Sequence, residues 1–596
     1  VLKRVMSTQS ISSQFSAEEF QVAQIFLRDF EKSGIHLPSS EREQFVRLSD
    51  KVITLGRKFT HNLQPNSNDY IEVDVSLLDG LKTKFPTTSK SNVVKISTKT
   101  WEVPMIMKQV KNEEVRESIY IASNSATKEH VELLEDLLRT RGEIAKLLGM
   151  ESYSQLFLMD KMVKNPENVQ TFLHSLADHH RPKALADLRL LQEAKMKYTQ
   201  GKKSPTIYAW DRDFYIEKVR LKSSTQSVAP ISQFFSVGSV IQGLSKLFSR
   251  LYGISFEPAD IWPGEVWHED VRKLDVIDES EGKIGTIYCD LFSRFGKYQN
   301  AAHYTVRCSR RVDDDDGIND IPSGIDPIDL GELATSNEGE TIKGRAGRYQ
   351  LPVVVLVCDF GKPKNSKNPS LLSWVEVETL FHEMGHAMHS MIGRTDFHNV
   401  SGTRCPTDFV ELPSILMEHF VHSPSVLSLF AKHFETRAPI PLDLIYSHRN
   451  ARSQFSAMET QHQILMALLD QLYHSNLANS PKFDTTAILA NLQDTVGLYP
   501  SVPGTAWQVQ FGHLYSYGAT YYSYLFCRVL AGKIWQNTFE KDPLSREAGG
   551  KFREEVLRWG GSRDPWNCIG EVLKDERIMA GDNKSVSIVG EWVDYL

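Results

Sequence analysis

The fold is organised around one stretch of sequence, Thr379-Leu380-Phe381-His382-Glu383-Met384-Gly385-His386-Ala387-Met388-His389. It contains His-Glu-x-x-His, and residues four apart on an α-helix lie on one face. His382 and His386 can therefore hold one zinc ion together. Glu383 points to the side of that face, where it can take a proton from a water molecule. The spacing predicts a metal site with Glu383 as its general base.

The residues around this motif predict the helix itself. Ser373 and Glu376 have the spacing of a capping box, in which both side chains satisfy free backbone donors. One apolar stripe follows at three- and four-residue spacing: Trp374, Val377, Phe381, Met384, Met388 and Met391. The adjoining stripe carries Glu378, His382, His386 and His389. We expect one side to pack, the next to carry polar ligands, and Gly393 to end the helix. The alternative is a buried helix with satisfied histidines.

A catalytic zinc site needs a third protein ligand and one open position. The best candidate is Glu411, twenty-five residues after His386. Pro413 is tolerated only in the first turn of a helix, so Glu411 should lie at the start of the next helix, where the helix dipole favours a carboxylate. Glu378 and Glu418 are candidates for orienting the ligand imidazoles. The alternative is that Glu411 only caps its helix.

F-H-E-x-G-H followed by D-F-V-E-x-P-S-x-x-M-E resembles the thimet oligopeptidase family of zinc peptidases, and the resemblance extends along nearly the whole chain. Residues 400–409 resemble the branch of this family that processes imported mitochondrial precursors, rather than its cytosolic relatives. The resemblance implies a mainly α fold with a deep substrate channel and a small β-sheet beside the active-site helix. It makes His382, His386 and Glu411 the ligands of one zinc ion and Glu383 the catalytic base, although other divalent ions can serve at related sites.

The segment 511–524 is rich in aromatic residues and lies near the end of the chain. Peptide hydrolysis needs a donor aimed at the oxyanion, and a Tyr hydroxyl or His N–H supplies one without adding a metal ligand. The resemblance assigns this role to His513, Tyr517 and Tyr524. The chain is one residue shorter here than thimet-type members, so Tyr515 competes with Tyr517. The alternative is an aromatic helix face that only packs.

Composition describes an ordinary globular protein of 596 residues with 41% hydrophobic content. The net charge of −7 disfavours nucleic acid as a partner and fits a basic peptide substrate. The longest apolar run, residues 351–358, is too short to span a membrane. The six cysteines are scattered without a C-x-x-C pair, which is typical of a reducing compartment.

Hydrophobic periodicity predicts a helical domain over residues 1–255. The resemblance implies a metallopeptidase catalytic domain over residues 256–596. The predicted helices include 17–32, 41–63, 128–148, 165–200, 236–251, 448–474 and 521–535, with shorter ones at 105–115 and 208–219. The predicted strands are 271–278, 285–290, 302–306 and 353–360. Residues 311–348 contain a run of four aspartates and are interpreted as an acidic surface loop or insertion.

The first residues lack an organelle transit peptide, and members of the family have a helical segment before this point. We therefore expect a fragment that lacks its targeting peptide and part of its N-terminal domain. The resemblance implies a monomer of the mitochondrial matrix that removes an octapeptide from precursors with a basic presequence, after a first cleavage. Two alternatives remain open at this point: a general oligopeptidase of free peptides, and an inactive peptide-binding protein on the same scaffold.

Overall fold

A computed structural model gives the fold and describes residues 1–63, 70–81, 92–201, 203–223, 230–297, 301–313, 339–362 and 368–594. These residues are mainly helical with small sheets, so the predicted fold class is confirmed. The chain forms two compact units. The first contains Val1–Asp29, Val228–Arg449 and Phe526–Tyr595, and the second contains Phe30–Ser227 and Asn450–Leu525. The units divide the chain differently from the predicted boundary at residue 255, and that domain assignment stays a prediction.

The α-helices of the described residues are Leu2–Ser7, Gln9–Ser12, Ala17–Lys32, Ser39–Asn62, Glu102–Gln109, Glu113–Asn124, Lys128–Leu147, Tyr153–Leu158, Pro166–Thr199, Arg212–Ser223, Val237–Tyr252, Trp374–Ile392, Thr407–Val410, Leu412–Val421, Pro424–Leu427, Leu442–Ser453, Ser456–Tyr473, Thr485–Thr495, His513–Ser516, Tyr522–Ile534, Arg546–Glu555, Pro565–Leu573 and Asn583–Gly590. A π-helical turn, Trp535–Phe539, follows Tyr522–Ile534 directly. None of the helices in the described part of the chain is both long enough and apolar enough to cross a membrane.

The strands of the described residues are β1 Tyr70–Asp74, β2 Val93–Ser97, β3 Ile254–Pro258, β4 Arg272–Asp278, β5 Gly282–Phe292, β6 Ala302–Arg307, β7 Arg310–Arg311, β8 Glu340–Thr341, β9 Arg348–Gln350 and β10 Val353–Phe360. They form a β1–β2 hairpin, a five-stranded sheet in the order β3-β4-β5-β10-β6, and a small β7-β9-β8 sheet. The four strands predicted from the sequence are all present as β4, β5, β6 and β10, and the other six strands of the described residues were missed.

The five-stranded sheet belongs to the first unit and supports the helix that carries the histidines. β10 pairs parallel to β5 and antiparallel to β6, so β6 is an edge of this sheet. Val354, Leu356 and Cys358 alternate along β10 and are fully buried, as expected for one covered face of a strand. The helix Trp374–Ile392 packs against β10, β6 and β5. This packing fixes the histidine helix on a rigid surface.

The second unit is built from helices that are distant in sequence. Pro166–Thr199 packs against Ser456–Tyr473, and Ser39–Asn62 packs against Lys128–Leu147. The β1–β2 hairpin joins a separate hydrophobic core with the helices that follow it. Its strands lie on either side of a connection of about eighteen residues, so no short turn motif identified the pair in the sequence.

Two predicted helices are interrupted, and the prediction of single helices there is wrong. The segment 105–115 is divided because Asn112 accepts a hydrogen bond from the Val115 N–H at 3.2 Å and begins a new helix. The segment 448–474 is divided at Phe455, whose φ of 68° is left-handed. A left-handed residue ends a helix, and no glycine marked this position.

The acidic insertion differs from the prediction at its ends. Residues 314–338, which include most of the predicted loop, lie outside the described residues. The flanking residues are paired as strands, with Arg311 opposite Tyr349 and Thr341 opposite Arg348. The ends of the insertion are therefore held by cross-strand hydrogen bonds instead of forming an open loop.

Candidate functional site

The histidine helix begins at the predicted capping box. The Ser373 hydroxyl accepts from the Glu376 N–H at 3.3 Å, and the Glu376 carboxylate accepts from the Ser373 N–H at 2.7 Å. These two bonds satisfy donors that a helix N-terminus leaves free, so they fix where the helix begins. The apolar stripe is buried, with Phe381 and Met384 fully covered. The face next to it is therefore oriented by packing.

Gly385 lies at the contact between this helix and the helix Leu412–Val421. A Cβ atom at Gly385 would lie 2.6 Å from the Ser414 Cα and 2.9 Å from the Pro413 carbonyl oxygen. The two backbones thus approach more closely than any other residue at position 385 allows. Pro413 stands in the first turn, as expected, and Glu411 is the residue just before the helix. The close crossing brings Glu411 to the histidines.

The side chains of His382, His386 and Glu411 converge. One ligand atom from each lies within 4.8 Å of the others. The Glu411 Oε2 lies 3.3 Å from His382 Nε2 and 3.2 Å from His386 Nε2. The Glu411 side chain makes no capping bond to its helix, which removes the alternative that it only caps. The Ser414 hydroxyl, 3.2 Å from Oε2, donates to the carboxylate and helps to orient it.

This donor set fits a divalent metal ion. His382 Nδ1 lies 2.7 Å from Glu418 Oε1, and a proton on Nδ1 leaves a lone pair on Nε2 facing the Glu411 carboxylate. Burial lowers the pKa of His382, but hydrogen bonds to Glu411 and Glu418 outweigh it and raise this pKa to about 10. The cluster thus favours a positive charge between its donors. Tetrahedral zinc holds nitrogen and oxygen donors roughly 3.3 to 3.6 Å apart, close to the distances found here.

The two acids predicted to orient ligand imidazoles have different surroundings. Glu418 contacts His382 Nδ1, the position from which a carboxylate fixes the tautomer of a metal-binding histidine. Glu378 accepts from Trp374 Nε1 at 2.8 Å and lies 3.0 Å from His422 Nε2. Its predicted role toward the ligand imidazoles stays a prediction. His389, one turn beyond His386, is fully buried, and burial lowers its pKa to about 3.

Glu383, the predicted base, is buried and has a raised pKa. Only 8% of the residue is exposed, and burial raises the pKa of its carboxyl group above the ordinary value, although His382 and His386 oppose the shift. The nearby backbone N–H of His303 on β6 also lowers the pKa of this carboxyl group. The His303 ring lies 3.1 Å from the Ser390 hydroxyl and 5.9 Å, between ring centroids, from His386. No sequence pattern identifies His303 as a neighbour of Glu383, because its position depends on how β6 packs against the helix.

The predicted oxyanion donors cluster in the second unit. His513 lies 5.9 Å from Tyr517 and 6.0 Å from Tyr524, and the two tyrosine rings are 5.6 Å apart, all between ring centroids. We call residues 511–524 the aromatic loop. Tyr515 points elsewhere: a Cβ atom on Gly56 would lie 1.9 Å from the Tyr515 ring, so this ring packs against the helix Ser39–Asn62. That the aromatic loop and the histidine cluster act at one site stays a prediction.

Gly385→Ala tests the close helix crossing. The added methyl group meets backbone atoms that cannot move aside, so we expect a loss of about 1 to 3 kcal/mol in the free energy of unfolding and weaker metal binding. Gly550→Ala is the matched control, because Gly550 lies within Arg546–Glu555 and a Cβ there meets open space. It should be neutral or stabilise by up to about 1 kcal/mol. Thermal unfolding measures the stability of both variants, and metal titration measures their metal affinity. Equal losses in the two variants would contradict the close crossing of the two helices.

Comparison with known proteins identifies the family. The model of peptidase family M3 matches residues 106–587. Mitochondrial intermediate peptidase 1 of Cryptococcus neoformans var. neoformans serotype D (strain B-3501A) is 50% identical, over 97% of this chain and 80% of that protein. The mitochondrial intermediate peptidases of Coprinopsis cinerea and Mycosarcoma maydis are 47% and 45% identical, each over 99% of this chain and over 76% and 74% of their own lengths.

Solved structures agree on the fold. A 3.1 Å X-ray structure of a protein assigned as oligoendopeptidase F matches with a TM-score of 0.54 at 14% identity, over 100% of this chain and 83% of that one. A structure from Chlamydophila abortus, assigned as a peptidase, matches with a TM-score of 0.52 at 13% identity, over 100% of this chain and 82% of that one. Sequence identities this low show a shared fold but not a shared function. The family assignment therefore rests on the family model and the sequence relatives. The resemblance found in the sequence is confirmed: the chain belongs to peptidase family M3 and is a metallopeptidase, a family that implies a divalent metal ion.

Proposed function

We propose that this chain is a zinc endopeptidase that removes an N-terminal octapeptide from precursor proteins imported into mitochondria, after a first processing cleavage. The observation that carries the chemistry is the convergence of His382, His386 and Glu411, with Glu383 on the same helix. The similarity of 45 to 50% to proteins named mitochondrial intermediate peptidases supports the biological role. It also supports a mitochondrial location, for which we propose the matrix.

His382, His386 and Glu411 would hold the ion, and Glu418 would fix the His382 tautomer. When bound, zinc supplies Lewis-acid polarisation of a carbonyl and lowers the pKa of water towards neutrality. Glu383 then accepts the proton of the attacking water and passes it to the leaving amine. Its raised pKa suits both steps, because the carboxyl group must bind and release a proton near neutral pH.

Tyr517 and Tyr524, with His513, would donate hydrogen bonds to the oxyanion that forms during attack. The clustering of these three rings supports their acting together. The packing of Tyr515 against Gly56 favours Tyr517 over Tyr515 for this role. We further propose that the substrates carry a basic presequence, which the net charge of −7 would attract, and that the enzyme acts as a monomer.

The substrate proposal predicts selective cleavage. A precursor that retains its octapeptide should be cut at one bond, with kcat/KM at least roughly tenfold above that for an unrelated eight-residue peptide, because extended contacts raise transition-state binding. Mass spectrometry of the products identifies the bond, and Glu383→Gln serves as the inactive control. Equal cleavage of both substrates would favour a general oligopeptidase and refute the processing role, while leaving the metallopeptidase assignment intact.

A further inference from the structure

Three buried polar side chains form a chain of hydrogen bonds behind the aromatic loop in the second unit. Arg141, His474 and Asp470 are each at most 4% exposed. Arg141 Nη1 lies 2.8 Å from His474 Nε2, and His474 Nδ1 donates to the backbone carbonyl oxygen of Asp470 at 2.9 Å and also lies 2.9 Å from Asp470 Oδ1. An arginine only donates, so His474 Nε2 accepts, and its ring is neutral with the proton on Nδ1. The neutral ring thus lies between Arg141 and Asp470 and contacts both.

The two ends of this chain bind the backbone of the aromatic loop. The Asp470 carboxylate accepts from the N–H groups of Ala519 and Tyr521, at 2.9 and 3.1 Å. Arg141 donates to the carbonyl oxygens of Leu514 and Tyr515, at 2.5 and 2.7 Å. These four charge-assisted bonds are stronger than bonds between neutral groups. They hold the loop on both sides of Tyr517.

The loop conformation needs such support. Ala519 has a φ of 66°, which residues with a side chain rarely adopt. A Cβ atom at Gly518 would lie 2.4 Å from Arg141 Nη1 and 2.6 Å from His474 Nε2, so the backbone lies directly on the buried chain. Backbone of this kind persists only where its surroundings determine it, and such positions concentrate at functional sites.

We infer that Arg141, His474 and Asp470 are positioning residues, which hold the aromatic loop so that Tyr517 and Tyr524 are presented as oxyanion donors. The inference rests on the proposed function of these tyrosines. No predicted site residue belongs to this chain of hydrogen bonds, and none of its members needs to contact substrate. Their effect on catalysis passes through the backbone at residues 514–521.

Asp470→Asn tests the end of the buried chain that accepts hydrogen bonds from Ala519 and Tyr521. The amide keeps one acceptor oxygen but presents N–H groups to a second backbone N–H, so one of the two bonds is lost. We expect kcat to fall roughly 10- to 100-fold, since small displacements of catalytic groups have effects of this size. KM should change by less than about twofold, and metal content should not change. Hydrogen exchange at the amides of Ala519 and Tyr521 should become faster.

Arg141→Met tests the other end, with Arg139→Met as the matched control. Arg139 lies on the same helix but donates to the Phe483 carbonyl, at 3.2 Å, in a different segment. Only Arg141→Met should lower kcat, and Arg141→Lys should recover part of it. Combined with Tyr517→Phe, Arg141→Met should cost much less than alone, because both changes remove the same hydrogen bond to the oxyanion. If either variant does not fold, His474→Gln tests the same buried chain instead.

Three results would overturn the inference: unchanged amide exchange in Asp470→Asn, equal loss of kcat in Arg139→Met and Arg141→Met, or additive effects of Arg141→Met and Tyr517→Phe. A failure of the proposed function looks different. A wild-type chain with bound metal that cleaves no peptide would refute that function. The exchange measurement would then still decide whether the buried chain holds the loop.

Discussion

Glu383→Gln is expected to lower the turnover of a short peptide by about 10²- to 10⁴-fold while the protein keeps its full metal content. Glutamine has the shape of glutamate and can still accept a hydrogen bond through its side-chain oxygen, but it cannot take a proton from water. The loss should appear in kcat more than in KM, because a base acts in the transition state.

Peptide cleavage and metal analysis on the same sample measure this effect. Glu376→Gln is the matched control, since Glu376 lies on the same helix and its capping bond needs only a side-chain oxygen. That variant should retain wild-type activity. If Glu383→Gln kept its metal and were nearly as active as the wild type, Glu383 could not be the base.

Glu411→Gln should abolish activity for a different reason, by weakening metal binding. Of the three donors, Glu411 alone supplies negative charge, and its Oε2 faces both imidazoles. The neutral amide leaves two histidines to hold the ion. We expect metal affinity to fall by more than the roughly 10- to 100-fold typical when a carboxylate beside a ligand is removed.

Glu418→Gln provides the comparison, because Glu418 contacts His382 Nδ1 on the side away from Glu411. The metal affinity of Glu418→Gln should fall by roughly 10- to 100-fold. Its activity should recover when zinc is added. Competition with a chelating dye measures both affinities. A Glu411→Gln chain that binds metal as tightly as Glu418→Gln would contradict the assignment of Glu411 as a ligand.

The histidine helix was predictable because its information is local. The capping box at Ser373 and the two adjacent stripes define its start and its orientation, and the structure gives Trp374–Ile392. Glu411 was identified from a proline in a helix first turn together with a family motif. Local patterns also gave 17–32 and 353–360 with the bounds that the structure shows.

The rest depends on contacts between distant residues. His303 lies near Glu383 only because β6 packs beside the helix, and no local pattern within β6 indicates this. Phe455 ends a helix although it is neither glycine nor asparagine, because its conformation is set by tertiary packing. Arg141 and Asp470 were missed for the same reason: they are more than three hundred positions apart and are linked only through His474, behind the aromatic loop.

The three residues proposed as metal ligands, the proposed base Glu383 and Glu418 all lie in the first compact unit. If these residues bind the ion, every proposed ligand comes from that unit, whereas the proposed oxyanion donors come from the other. Uptake of the ion and handling of the peptide become separable properties, which selection or engineering can alter independently. Changes in the second unit should then alter substrate preference without lowering the metal content of the enzyme.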